Sequence, residues 1–211
     1  MIDNVCWLGH DAIRIEGSKT IYIDPWQIAA GAPPADLILV THDHFDHFSK
    51  DDVRRLSTPE TVLVGPAEVT EQHDGETRPV APGDTVVIDG VAVTAVPAYN
   101  VDKFKAPGRV FHPRSDGKVG FVVDMDGRRY YHAGDTDCIP DMATIEVDVA
   151  FLPVSGTYVM TAEEAAEACG TIGATVVVPM HYGTIVGSID DAQRFAGLCP
   201  LPVEILPRSD R

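Results

Sequence analysis

The sequence predicts an α/β chain in which two β-sheets pack face to face with helices outside. Short apolar or alternating runs recur closely along the whole length, helical segments are few, and no linker or composition break divides the 211 residues. With 45% hydrophobic residues, the chain is expected to form one domain over 1–211.

In order, the first strands are expected at Val5–Leu8, Ala12–Ile15 and Thr20–Ile23, with Glu16-Gly17 turning the chain between the last two. Leu37–Val40 and Thr61–Val64 flank a helix that Ser49 caps and that runs through Leu56. A short helix follows Pro66. Thr85–Ile88 and Val91–Val96 are joined through Asp89-Gly90, and Val119–Val123 and Arg129–His132 through Asp126-Gly127. Later strands fall at Val149–Pro153, Thr175–Pro179 and Val203–Leu206. Between them, Thr161-Ala162-Glu163-Glu164 is a capping box opening a helix to about Cys169, and a last helix runs near Ile189–Ala196. Lys19–Asp24 echoes Arg129–Asp135, and each is followed by an acid-headed apolar strand, a pattern that fits two related halves.

Charge narrows the function. Thirty-two acids against 16 bases leave a net charge of -16, which repels phosphate backbones and anionic lipid. No nucleic-acid or membrane partner is expected. No apolar run approaches the ~18 residues a spanning helix requires. The start, Met1-Ile2-Asp3-Asn4, lacks the pattern of a signal peptide, so a cytoplasmic location is expected. Cys6, Cys138, Cys169 and Cys199 form no CxxC pair and are read as reduced thiols. A homo-oligomer is left open.

The chemistry concentrates in Thr41-His42-Asp43-His44-Phe45-Asp46-His47, directly after an apolar strand. Neutral imidazole and carboxylate oxygen are the usual donors for zinc and related ions. Residues two apart in an extended segment point the same way, so His42 and His44 can grip one ion, while Asp46 and His47 face a second. Further donors stand at strand ends. Gly134 lets the backbone turn so that Asp135 projects inward, and His181 lies in Pro179-Met180-His181-Tyr182-Gly183.

These residues resemble the metallo-β-lactamase superfamily, whose hallmarks are the HxHxDH loop, a later Asp and a late His. The finer pattern is similar to the L-ascorbate-6-phosphate lactonase-like branch: Leu8-Gly9-His10, Ile23-Asp24-Pro25, His132-Ala133-Gly134-Asp135-Thr136 and Val178-Pro179-Met180-His181-Tyr182. The resemblance covers nearly the whole chain and implies a four-layer αββα sandwich. It assigns His42 and His44 to a first metal, Asp46, His47 and His181 to a second, and Asp135 to the bridge. Asp24 would support the ligand loop. One or two divalent ions are implied, zinc or manganese first and iron also suited.

One departure stands out. The family's third histidine for the first metal is absent after Val91–Val96, where the chain reads Pro97-Ala98-Tyr99-Asn100. Asn100 through its carbonyl oxygen, the more distant His112, or a weak first site are the alternatives. Asn100, His112 and His10 are also expected to contact substrate, and His132 to serve catalysis beside Asp135. Lys103–Lys118 holds five of the chain's 16 Lys and Arg residues, and Pro107, Gly108 and Pro113 mark it as a loop. Arg109 and Arg114 are therefore expected to receive an anionic substrate group.

The function expected is metal-assisted hydrolysis of an ester-type bond, a lactone or phosphodiester of a small anionic metabolite. Cations would lower the pKa of water from about 15.7 to roughly 7, giving hydroxide at neutral pH, with Asp46 orienting it. The alternative is a non-catalytic metal-binding or sensing protein of the same fold, motivated by the missing histidine.

Overall fold

Alternating apolar side chains drive the assembly of two six-stranded sheets in the computed structural model, which describes residues 2–209. The first sheet runs β1 (Val5–Gly9), β2 (Ala12–Glu16), β3 (Thr20–Ile23), β4 (Leu37–Leu39), β5 (Val62–Gly65) and β6 (Glu76–Pro79), side by side in chain order. Its first three strands are antiparallel, and β3 through β6 are parallel. The chain continues through β7 (Thr85–Ile88), β8 (Val91–Pro97), β9 (Phe104–Ala106), β10 (Arg109–Val110), β11 (Val119–Met125), β12 (Arg128–His132), β13 (Glu146–Pro153) and β14 (Gly173–Met180). The second sheet has the order β14-β13-β12-β11-β8-β7, parallel over its first three strands and antiparallel over the rest. The strands β9 and β10 form a separate antiparallel hairpin.

Side-chain alternation sorts the layers. Ile21 and Ile23 of β3, with Leu37 and Leu39 of β4, face Val93, Phe121 and Val123 of the other sheet. Tyr22 and Ile38, on the opposite face, pack under Val53 and Leu56 of α1 (Lys50–Leu56) and Val69 of α2 (Ala67–Thr70). Outside the second sheet, α3 (Ala162–Cys169) buries Ala165 and Ala168, and α4 (Ile189–Leu198) buries Ala192 and Phe195, both against β14. The result is the expected four-layer αββα sandwich.

Helix starts follow local chemistry. Ser49 accepts from the Asp52 amide, and Thr161–Glu164 closes the capping box read from sequence. Ser188 and Asp191 form a second box at α4.

Three elements differ from expectation. Val203–Leu206 is no strand: only Val203 bridges Val177, because the next rung of the parallel ladder needs an amide that Pro179 of β14 lacks. Glu76–Pro79 pairs as an edge strand despite its polar sequence, since β5 offers it a parallel template. The segment Lys103–Lys118, expected to be a loop, folds into the β9–β10 hairpin and a 3-10 turn at Arg114–Asp116.

The internal echo matches the topology. Each half carries antiparallel strands into a parallel pair, β3–β4 in one and β12–β13 in the other. The carboxyl ends of β1, β3, β4, β12, β13 and β14 feed the loops that hold the candidate donors, where ligands settle in such sheets. Packing should show in stability. Phe151→Ala, at a fully buried site on β13, should cost about 3–5 kcal/mol by urea denaturation. Val87→Ala, 69% exposed on edge strand β7, should change it by less than about 0.5 kcal/mol.

Candidate metal centre

The ligand loop is built around Asp24, which follows β3 with φ of 48°. Its Oδ1 accepts from the Thr41 amide at 2.8 Å, and its Oδ2 from the Thr41 hydroxyl at 2.7 Å and His47 Nδ1–H at 2.8 Å. The single hydroxyl proton of Thr41 is thus committed to Asp24. Thr41 Oγ1 must accept from His42 Nδ1–H, 2.9 Å away. Both imidazoles thereby turn Nε2 toward the centre, where that of His47 has no hydrogen-bond partner and that of His42 meets only His44 Nδ1. The amides of His47 and Phe48 donate to the His44 carbonyl and close the turn.

The other half delivers its donors by strained turns. Gly134 has φ of +64°, and a Cβ there would stand 2.9 Å from the Val119 carbonyl oxygen, so the backbone can bend only as glycine. Asp135 is thereby turned into the cluster. His181 follows β14 with φ of 59°, donates its amide to the His10 carbonyl, and pairs through Nδ1 with Ser155 Oγ at 2.8 Å. Its Nε2 also remains bare.

Asp135 joins two donor groups. His42, His44, His112 and Asp135 present ligand atoms that all lie within 4.8 Å of one another. Asp135 Oδ2 is 3.9 Å from His42 Nε2 and 3.7 Å from His112 Nε2, and His44 Nδ1 is 3.0 Å from His42 Nε2. On the other side, Asp135 Oδ1 is 3.3 Å from His47 Nε2 and 3.5 Å from His181 Nε2. Asp46, His10, His47 and His181 form a further group of the same tightness. Donors about 2.1 Å from a tetrahedral ion stand about 3.4 Å apart, the spacing these atoms keep.

The atoms also lack other partners. His47 Nε2, His181 Nε2, His112 Nε2 and Asp135 Oδ1 are buried with no hydrogen bond. Orphans of this kind are rare in native interiors. Burial raises the carboxyl of Asp135 and lowers the imidazoles of His42, His112 and His181, which favours the neutral rings that metals require. His47 runs the other way. Burial works against its charge, but the carboxylates of Asp135, Asp24 and Asp11 outweigh that and raise it. Residues and spacing fit a pair of divalent cations, and a bound cation would take the place of the proton that these carboxylates hold on His47.

Several expected substrate contacts fall elsewhere. His112 stands among the donors, in the place of the missing histidine. Asn100 does not point at the cluster: its Oδ1 accepts from the His112 amide at 2.9 Å, while its Nδ2 donates to Asp137 and to the Tyr158 carbonyl. It therefore positions His112. His132 is fully buried, and both of its ring nitrogens are bonded to backbone groups rather than to the cluster. Its Nε2–H donates to the Asp11 carbonyl at 2.9 Å, and its Nδ1 accepts from the Gly134 amide at 3.3 Å. Arg114 bonds Asp141 and the Tyr99 hydroxyl, and Arg109 lies exposed on β10. Neither lines the cavity over the donor cluster, because the chain after the hairpin places Phe111 and His112 there instead. His10 lies within the cluster, its Nε2 3.2 Å from Asp46 Oδ2.

That cavity measures about 490 Å³. Asp43, His44, Asp46, His112 and Asp135 line it on one side, and Phe45, Phe111, Tyr158 and Ile185 form apolar walls. Among the described residues, none lining it is Lys or Arg. Sequence reading did not reach Asp11, Ser155 or the three wall residues beyond the motif. Only the unusual His10-Asp11 pair after a buried strand carried a signal.

Asp24→Asn should test the scaffold. The amide cannot serve as acceptor at both positions, so metal affinity by equilibrium dialysis should fall about 10–100-fold with the fold retained by circular dichroism.

The chain is similar to known proteins along most of its length. Residues 4–181 match the model of the beta-lactamase superfamily domain. A metal-dependent hydrolase of the UPF0173 family from Methanoculleus marisnigri is 38% identical over 196 residues, covering 90% of this chain and 85% of its own. A solved Parabacteroides distasonis protein, provisionally described as a metal-dependent hydrolase, is 29% identical with a TM-score of 0.82, over 95% of this chain and 91% of the other. A metallo hydrolase from Ignicoccus hospitalis is 25% identical with a TM-score of 0.78, over 97% and 95%. With the family model matched over residues 4–181 and a relative 38% identical over 90% of its length, the chain belongs to the metallo-β-lactamase superfamily.

Proposed function

We propose that the chain is a metal-dependent hydrolase acting on an ester-type bond, a carboxylic ester or lactone, in a small molecule with an apolar group. One observation carries this reading. The donor cluster joined through Asp135, with the Asp43 carboxylate beside it, forms one side of a cavity whose other side is lined by Phe45, Phe111, Tyr158 and Ile185. Divalent cations held there, zinc or manganese first, would lower the pKa of water to roughly 7 and polarise an acyl or phosphoryl oxygen.

The chain's own groups do the rest. Asp46 lines the cavity, and although burial opposes its charge, the His10 hydrogen bond and the neighbouring His47 imidazole hold its carboxyl below the usual range. It stays ionised at neutral pH, ready to accept from a water and orient it toward the scissile group. Phe45, Phe111, Tyr158 and Ile185 hold the apolar portion and exclude bulk water. Among the described residues the cavity lining holds no Lys or Arg, and Lys118 at its edge is paired with Asp43 and Glu68 at 3.8 Å each, which supports an apolar ester over a phosphodiester or an anionic metabolite. His112 supplies the donor whose absence favoured a non-catalytic sensing role.

Loaded with zinc or manganese, the protein should hydrolyse p-nitrophenyl butyrate and aryl lactones faster than bis-p-nitrophenyl phosphate. A fully loaded protein inert on all three would restore the sensing alternative. Asp135→Ala should cut turnover at least about a hundredfold and reduce bound metal, with circular dichroism unchanged. Phe111→Ala should raise KM for the aryl ester about tenfold, a loss of about 1.4 kcal/mol, while kcat stays within about twofold.

A further inference from the structure

Asp11 is used by neither donor assignment above, yet it is fully buried and both of its carboxylate oxygens lack a hydrogen-bond partner. Its Oδ2 lies 3.7 Å from His47 Nε2 and 3.9 Å from His181 Nε2, the two bare nitrogens of the second donor group. With Asp135 these residues present four atoms within 4.8 Å of one another. Its nearest charge partner among the described residues, His10 Nε2 at 3.5 Å, is closer to Asp46 at 3.2 Å. No lysine or arginine pairs with Asp11 among the described residues. A buried carboxylate with both oxygens bare is costly unless a cation meets it.

The residue is also held in place. It sits in the turn between β1 and β2, and His132 Nε2–H holds its carbonyl at 2.9 Å. The preceding carbonyl, of His10, takes hydrogen bonds from Trp7 Nε1 and the His181 amide. Asp11 does not line the cavity, whereas Asp46 and Asp135 do, so it reaches the cluster from the protein interior. Asp11 and Asp46 belong to different donor groups that share His47 and His181, as ligands on opposite sides of a common imidazole pair would.

We propose that Asp11 is an additional ligand of the second cation, giving that position two imidazoles and three carboxylates, and that this donor set favours manganese or iron(II) over zinc. Oxygen-rich donor sets of five or more suit ions that accept octahedral coordination, while three imidazoles and one carboxylate suit tetrahedral zinc. The two halves of the centre are thereby matched to different metals. The inference rests on the reading of the cluster as a metal centre, and its test separates the two.

Metal-free wild type and Asp11→Asn would be titrated with zinc and with manganese, following manganese by electron paramagnetic resonance and unfolding by calorimetry. In the variant, manganese affinity should fall at least tenfold, while one zinc per chain binds within about twofold of wild type. Metal-free Asp11→Asn should melt no lower than metal-free wild type, and the order should reverse once manganese is added, a crossing that a purely structural aspartate would not produce. Unchanged manganese affinity and stoichiometry, or equal destabilisation with and without metal, would overturn the proposal. If Asp11→Asn does not fold, Asp11→Ser is read in the same way. Loss of all metal binding in wild type would instead remove the metal-centre reading itself.

Discussion

Lone pairs kept dry and unpartnered are the constraint around which this molecule is arranged. A buried acceptor without a partner costs on the order of 1–3 kcal/mol, and here several imidazole nitrogens and carboxylate oxygens accept that condition together. They are held apart from one another by bonds on their far sides: His42 by Thr41, His47 by Asp24, and His181 by Ser155. Each outer partner takes the Nδ1 side and so aims Nε2 at the centre. Cations turn the shared penalty into the binding energy of the site.

The sandwich supplies the geometry. Two parallel strand pairs, one in each sheet, end side by side, and each ends in an aspartate. Asp24 became the scaffold of the ligand loop and Asp135 the bridge, so equivalent points of two similar halves took up complementary tasks. Positive φ at His10, Asp24 and His181 marks where strands are bent sharply to bring side chains inward. Such strain is tolerated where surrounding bonds over-determine it.

The third imidazole illustrates how a fold can find a donor by another route. The β9–β10 hairpin delivers His112 from a segment some distance along the chain, and Asn100 then pins its backbone. The same hairpin puts Phe111 against Tyr158, with ring centres 4.7 Å apart, so one excursion of the chain supplies both a donor and an apolar wall. Tyr158 itself is held at positive φ, with its carbonyl bonded to Asn100. Donor placement and cavity shape are therefore coupled through a single side chain.

Much of this was written in the linear chain. Period-two apolar runs, turn dipeptides and capping residues were sufficient for the two sheets and the helices, because those preferences act over a few residues. The loop at 42–47 and the donors Asp135 and His181 were equally legible, since their spacing from strand ends is local. What only the tertiary structure decided were the long-range choices. His112 and Asp11 joined the cluster, Asn100 and His132 were turned to backbone support, and Arg109 and Arg114 were left outside the cavity. The Val203–Leu206 run did not become a strand, while the polar Glu76–Pro79 did. In each case the outcome depends on which neighbour a side chain or strand meets across the fold. That information is carried by packing between distant segments and has no local pattern to betray it.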